Sequence, residues 1–135
     1  MSLDPLAAAV ADAALRGFVA ALRTKQPDTI LALFTDNASV FGSEDSEVAI
    51  GAEALRAFLS DLCRQSATIS WSWQVTAAGQ DGDVVWFVAP GVAESMTTDG
   101  SITRVEPYRL SGVLRRTAGG WLFELFNGSE PTLPA

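Results

Sequence analysis

The hydrophobic period changes once along this chain, near residue 65, from about four residues to two, and no other feature constrains the fold as strongly. Before the change, Leu6, Val10, Ala14, Phe18 and Leu22 recur every four residues, with Leu15 and Val19 beside them. That spacing lays an apolar stripe along one helical face, and Ser2 or Asp4 can cap the helix ahead of Pro5. Gln26-Pro27-Asp28 interrupts it, and Asp28 can cap a second, short helix running through Ile30, Leu31, Leu33 and Phe34. Thr35-Asp36-Asn37 reads as turn chemistry, and Ala38 to Phe41 as a short strand. A polar, acidic loop follows from Gly42 to Glu47. Gly51-Ala52-Glu53 then opens a third helix, in which Leu55, Phe58, Leu59 and Leu62 keep the helical spacing.

Beyond Arg64, Ile69, Trp71, Trp73 and Val75 alternate with polar residues, the pattern of a strand with one apolar face. Asp81-Gly82, Asp99-Gly100 and Gly119-Gly120 are tight-turn signals that divide the rest into strands near 83–97, 101–117 and 121–129. Pro90-Gly91 falls inside the first of these long strands, where a bend or bulge would curl the sheet. Helices followed by an antiparallel meander make an α+β domain around a small apolar pocket. At 135 residues, with no internal repeat or linker, the chain reads as one domain, with a core over about 5–130 and a short flexible C-terminal tail.

Residue counts restrict the chemistry further. The chain has no histidine, which excludes histidine general bases, Ser-His-Asp and Cys-His pairs, and imidazole-bound zinc. Carboxylates, Tyr, Arg, Lys or the lone Cys63 would have to carry any protons. A net charge of -7 repels a phosphate backbone, so no nucleic-acid partner is expected. With one cysteine there is no internal disulfide, and no apolar run of about 18 residues or secretory leader was read from the sequence, so the expectation is cytoplasmic, with no membrane partner. No cofactor or metal is expected either. The acidic stretch Glu44-Asp45-Ser46-Glu47 lacks calcium-loop spacing and reads as a solvated loop, and Cys63 reads as a small apolar filler.

Several segments, in order, resemble the SnoaL-like group of the nuclear transport factor 2-like superfamily. Asp28 to Val40 is similar to its second helix, Gly51 to Phe58 to its glycine-led third helix, and Asp81 to Phe87 to its hairpin-plus-tryptophan strand. Tyr108 to Arg116 with Gly120-Trp121 resembles its last two strands, and Asn127-Gly128-Ser129 stands where many members carry His-x-Ser. The resemblance covers roughly residues 5–130. It implies a cone-shaped α+β barrel: three N-terminal helices packed on a strongly curved, mainly antiparallel sheet, with a central pocket. It also implies a homodimer through the outer sheet face, and it leaves function open, since isomerases, cyclases, dehydratases and non-catalytic association domains share the fold. Two positions depart from it. In the steroid isomerase branch an aspartate base follows the first short strand, and Gly42 occupies that place here; Asn127 replaces the pocket histidine and cannot exchange protons near neutral pH.

Glu106 can be laid on the isomerase strand that supplies an acidic hydrogen-bond donor, which makes it the candidate acid or base, with Tyr108 or Asn127 as the donor to a developing oxyanion. Trp71, Trp73 and Trp86 are candidates for an aromatic wall, and Phe41 and Arg109 for further ligand contacts. Tyr108 and Arg109 are adjacent on one strand, so a regular strand admits only one of them to the pocket. Two readings therefore stand side by side: a domain that binds a small apolar molecule, and an enzyme acting on an apolar carbonyl compound. A third, an assembly module, rests on Val84-Trp86-Val88 and Val85-Phe87-Ala89, both apolar, which asks for cover on both faces of one strand.

Overall fold

In a computed structural model, which describes residues 3–131, the Asp4 carboxylate accepts hydrogen bonds from the backbone N–H groups of Leu6 (2.9 Å) and Ala7 (3.3 Å). This cap starts α1 (Pro5–Arg23); Ser2, the alternative cap, lies outside the described residues, as does the expected tail from 132 onward. Two further helices follow, α2 (Pro27–Leu31) and α3 (Ala52–Arg64). The strands are β1 (Phe34–Phe41), β2 (Val48–Ile50), β3 (Thr68–Trp73), β4 (Ala77–Asp81), β5 (Val84–Met96), β6 (Ile102–Thr117) and β7 (Gly120–Ser129).

They form one curved sheet in the order β2-β1-β7-β6-β5-β3, with β4 also on the β5 edge. Among the described strand pairs, β1–β7 alone is parallel. Val85, Phe87, Ala89, Leu110, Leu114, Phe123 and Phe126 are buried and join residues of all three helices in a single core.

The buried stripe of α1 is Ala7, Ala11, Leu15, Phe18 and Leu22, one residue on from the expected stripe over the first turns. Leu6 is 76% exposed, and Val10 and Ala14 lie at the edge of an open apolar groove beside Leu33 and Trp121. The Asp4 N–H donates to the Ala78 carbonyl (3.0 Å), which draws the start of the helix so close to β4 that alanines fill the contact. By length and a mean hydropathy of 1.5, α1 could cross a membrane, which the sequence reading missed; here its buried face packs on the sheet.

Gln26, not Asp28, precedes α2, with Pro27 in the first turn, and the helix stops before Leu33 and Phe34. Thr35-Asp36-Asn37 belongs to β1 and forms no turn. The pairing of β1 with β7 slips between Phe34 and Ser39, so these residues form an irregularity inside the strand. A second slip, between Val113 and Leu114 on β6, leaves Glu124 as an extra residue on β7. That bulge puts both Phe123 and Phe126 on the inner face, three positions apart, where a regular strand would separate them.

The expected bulge at Pro90-Gly91 is absent from β5, whose register with β6 runs unbroken from Val84 to Ser95. The break is on the other edge. β4 pairs with Val84 to Val88 and β3 with Gly91 to Met96, so Pro90 stands where one neighbour gives way to the other. Gly91 is required there, because an added Cβ would lie 1.8 Å from the Ser72 carbonyl oxygen of β3.

The phase of α1 can be checked by urea unfolding. Leu15→Ala is expected to cost about 2–5 kcal/mol and Leu6→Ala less than about 0.5 kcal/mol. Equal costs would contradict the rotated stripe.

Candidate functional site

Phe18 of α1 is the centre of the aromatic core. Its ring lies 4.6 Å from that of Phe126 and 5.9 Å, stacked, from Trp71, whose own ring is 6.0 Å from Tyr108. Between this cluster and α3 lies a cavity of ≈ 70 Å³, bordered by Phe18, Phe58, Leu59, Trp71, Tyr108 and Phe126. The chamber left between these rings is smaller than the deep pocket expected. It adjoins a second cavity of ≈ 280 Å³ at the open end of the sheet, and the two share Glu47, Leu62, Ile69, Trp71 and Tyr108 as walls. Chamber and mouth together come to the lower end of the ~300–1,000 Å³ usual for small-molecule sites.

The mouth is polar and mostly acidic. Ser43, Glu44, Glu47, Arg104, Glu106 and Glu130 border it. Glu106 forms an ion pair with Arg104 (3.0 Å), two residues back on the same face of β6. It stands at the mouth and not in the apolar chamber.

Tyr108, the one tyrosine, borders both cavities, and its ring passes over Gly128, where an added Cβ would lie 2.5 Å from the phenol oxygen. Burial pushes its pKa above the ordinary 10.0; a hydrogen bond with Ser43 pulls it down, and the charges of Glu47, Glu130 and Glu106 push it further up.

Glu47 is the residue that sequence reasoning missed. Read as part of a solvated loop, it is half-buried on the chamber wall, and its Oε1 accepts the Glu44 N–H (3.1 Å). It reaches the wall because Gly42 has no side chain: a Cβ there would lie 2.7 Å from the Glu47 Cβ and 3.1 Å from Oε1. The signal available in the sequence was a glycine five residues before a glutamate across a tight loop, closed by the Gly42 N–H on the Glu47 carbonyl (2.7 Å). A carboxylate and a phenol on the walls of one apolar chamber are groups that can move a proton and hold an oxyanion.

The remaining sequence candidates fall in different places. Trp71 is on the chamber wall, and its indole N–H is the one buried side-chain polar atom without a partner among the described residues. Trp73 shares its strand face, but its N–H donates to Asp12 of α1 (3.0 Å), so it anchors the helix. Phe41 borders the chamber at its rim.

Trp86 does not line the site. It lies on the outer face of the sheet, 46% exposed, where its ring covers Gly79 of the paired strand. Both alternating sets of β5 are apolar, so pattern alone could not choose between faces. Arg109 is likewise exposed, opposite in direction to Tyr108. The nearby carboxylates Glu106 and Glu124 are paired with Arg104 and Arg115. Asn127 sits between the inward Phe126 and Gly128, and its amide donates to the Ser111 hydroxyl (3.3 Å) beside it on β6, away from the chamber. Burial raises the pKa of Cys63, with Lys25 opposing, so the thiol stays protonated at neutral pH.

Solved structures share this architecture. A ketosteroid isomerase-like protein from Erwinia carotovora atroseptica superposes with a TM-score of 0.73 at 18% identity, over 93% of this chain and 97% of that one. A protein of the NTF2-like family from Streptomyces avermitilis gives 0.77 at 14% identity over 95% and 98%, and an NTF2-like protein of unknown function from Pseudomonas putida gives 0.73 at 17% over 98% and 92%. At these identities the likeness establishes the cone-shaped α+β fold alone. The family follows from the sequence itself: residues 11–132 match the SnoaL-like domain, and the chain belongs to that family. No curated protein sequence matches it significantly.

The buried phenol gives a direct check of the site geometry. Absorbance titration of the single tyrosine is expected to give a midpoint above 10.0, lowered by Glu47→Gln. Because the fold favours the protonated phenol, its contribution to stability is full below the ordinary value and is lost as pH rises through the raised one. A midpoint at or below 10.0 would contradict the placement of Tyr108.

Proposed function

We propose that this SnoaL-like domain binds one small, mainly apolar or aromatic molecule across the chamber and its mouth. The observation that supports the reading is that the two cavities adjoin and share five wall residues, one of them Trp71 with its unpartnered buried N–H. An apolar body in the chamber removes aromatic surface from water, and a π face or an acceptor on the molecule meets the Trp71 N–H, which has no partner among the described residues. The proposal places the domain in the cytoplasm, in keeping with its single cysteine.

Ligand-observed NMR with phenylbutanol, a neutral probe with one aromatic ring, tests it. Saturable binding is expected, weakened at least about tenfold by Leu62→Trp, which fills the wall common to both cavities. Unchanged affinity in a folded Leu62→Trp variant would put the binding elsewhere and end the reading.

We also propose that the domain is a homodimer through the outer sheet face. The support is a set of exposed apolar side chains there: Trp86 (46%), Val88 (37%) and Val105 (59%). A second copy of the same face is the simplest cover for them. Sedimentation at micromolar concentration is expected to give the mass of two chains, and Trp86→Glu the mass of one; a single-chain mass for the unaltered protein would refute the dimer.

A further inference from the structure

The chamber and its mouth differ in chemistry, and the difference selects a ligand. Resting on the binding reading above, we propose that the molecule held here is an organic cation: an aromatic or apolar body with an amine at one end, the body in the chamber and the amine at the mouth.

The charges around the opening carry this. Four carboxylates, Glu44, Glu47, Glu106 and Glu130, border the mouth, against one cation, Arg104, which is already paired with Glu106. Three are left without a cationic partner among the described residues. Glu47 faces both cavities, so its charge sits where the apolar wall ends. The field of this rim reaches the chamber, since Glu47, Glu130 and Glu106 all push the Tyr108 phenol toward its protonated form. A neutral ligand gains nothing from that field and an anion is repelled by it, whereas an ammonium group is attracted.

The rim is not arranged for a metal. Among the described residues, no three Asp, Glu or Cys side chains converge closely enough to hold an ion. Carboxylates spread around an opening suit a diffuse, hydrated head group better than a compact one with a fixed coordination shell. Directly inside them stand Tyr108 and Trp71, ring centroids 6.0 Å apart, and both border the mouth. Aromatic faces next to carboxylates are the combination that holds ammonium groups elsewhere in proteins. Below them the walls are Phe18, Phe58 and Phe126, which offer an apolar body contact and no charge.

The test compares three probes that share one phenylalkyl body and differ only in the head: phenylbutylamine, phenylbutanol and phenylbutyrate. Calorimetry or ligand-observed NMR on the intact chain at low salt is expected to rank them amine, alcohol, carboxylate, with the amine about tenfold tighter than the alcohol, the size that one half-buried and two exposed carboxylates supply together. The amine-over-alcohol preference is expected to shrink to within about threefold in the Glu47→Gln/Glu130→Gln variant and at high salt. If phenylbutanol binds as tightly as the amine, the cationic class is wrong and the pocket reading stands. An amine preference that survives the double substitution intact also overturns the proposal, because other groups then carry it. If none of the three probes binds, the pocket reading falls and this inference falls with it.

Discussion

The contact of Phe18 with Phe126, ring centroids 4.6 Å apart, fixes where the long N-terminal helix lies on the sheet. Phe18 also meets Phe34, Phe123 and Trp71, so one side chain of α1 touches β1, β7 and β3 together. β1 and β7 are neighbours, but β3 lies three strands away from β7 in the sheet order, and the curvature of the sheet brings it within reach of the same ring. The contacts with β7 in turn depend on that strand presenting two phenylalanines three positions apart, which the extra residue Glu124 makes possible. Glu124 is itself held by Arg115 (3.3 Å) and the Thr35 hydroxyl (2.8 Å). Take away that bulge and Phe126 turns outward, leaving Phe18 without its nearest neighbour.

How much of this the sequence revealed depended on contrast between neighbouring residues. The period change near residue 65 located the meander, and the three tight turns placed β5, β6 and β7 to within a residue at each end, because glycine beside aspartate or glycine has few other uses. Asp4 and Gly51 were legible as helix starts for the same reason: each does something at a cap that few residues do. Strands β2 and β4 were not seen. Val48–Ile50 is too short for alternation to register, and Ala77–Asp81 reads Ala-Ala-Gly-Gln-Asp, without a branched or large aromatic residue. The phase of α1 was misjudged because it is rich in alanine, and a buried alanine gives a weaker signal than an exposed leucine one position away.

The site was less legible than the fold, for a different reason. Trp71, read as a wall candidate, and Tyr108, read as an oxyanion donor, both border the chamber, but strand parity gives two faces without saying which is inner. Trp86, Arg109 and Asn127 all fell on the other one. Glu47 escaped because its position depends on an empty volume, the missing side chain of Gly42, and sequence patterns record what is present. The bulges, which decide parity from Phe123 onward, leave no local signature either. Pocket composition is thus set by a few places where backbone register slips or side-chain volume is withheld.

Pro90 shows what such a place means for the edge of the sheet. Its carbonyl accepts the Gln74 N–H (3.1 Å) and Val88 accepts the Thr76 N–H (2.9 Å), so the short connection from β3 to β4 is stitched on either side of a residue that has no N–H of its own to satisfy. One side of this seam carries Trp71, a wall of the chamber; the other carries Ala78, where the start of α1 is tied down. The long β5 strand spans both without a break. Both halves of the edge also hold α1, β3 through the Trp73 N–H on Asp12 (3.0 Å) and β4 through the Ala78 carbonyl on the Asp4 N–H (3.0 Å), so a substitution that reshapes the binding wall is felt by the helix that closes it.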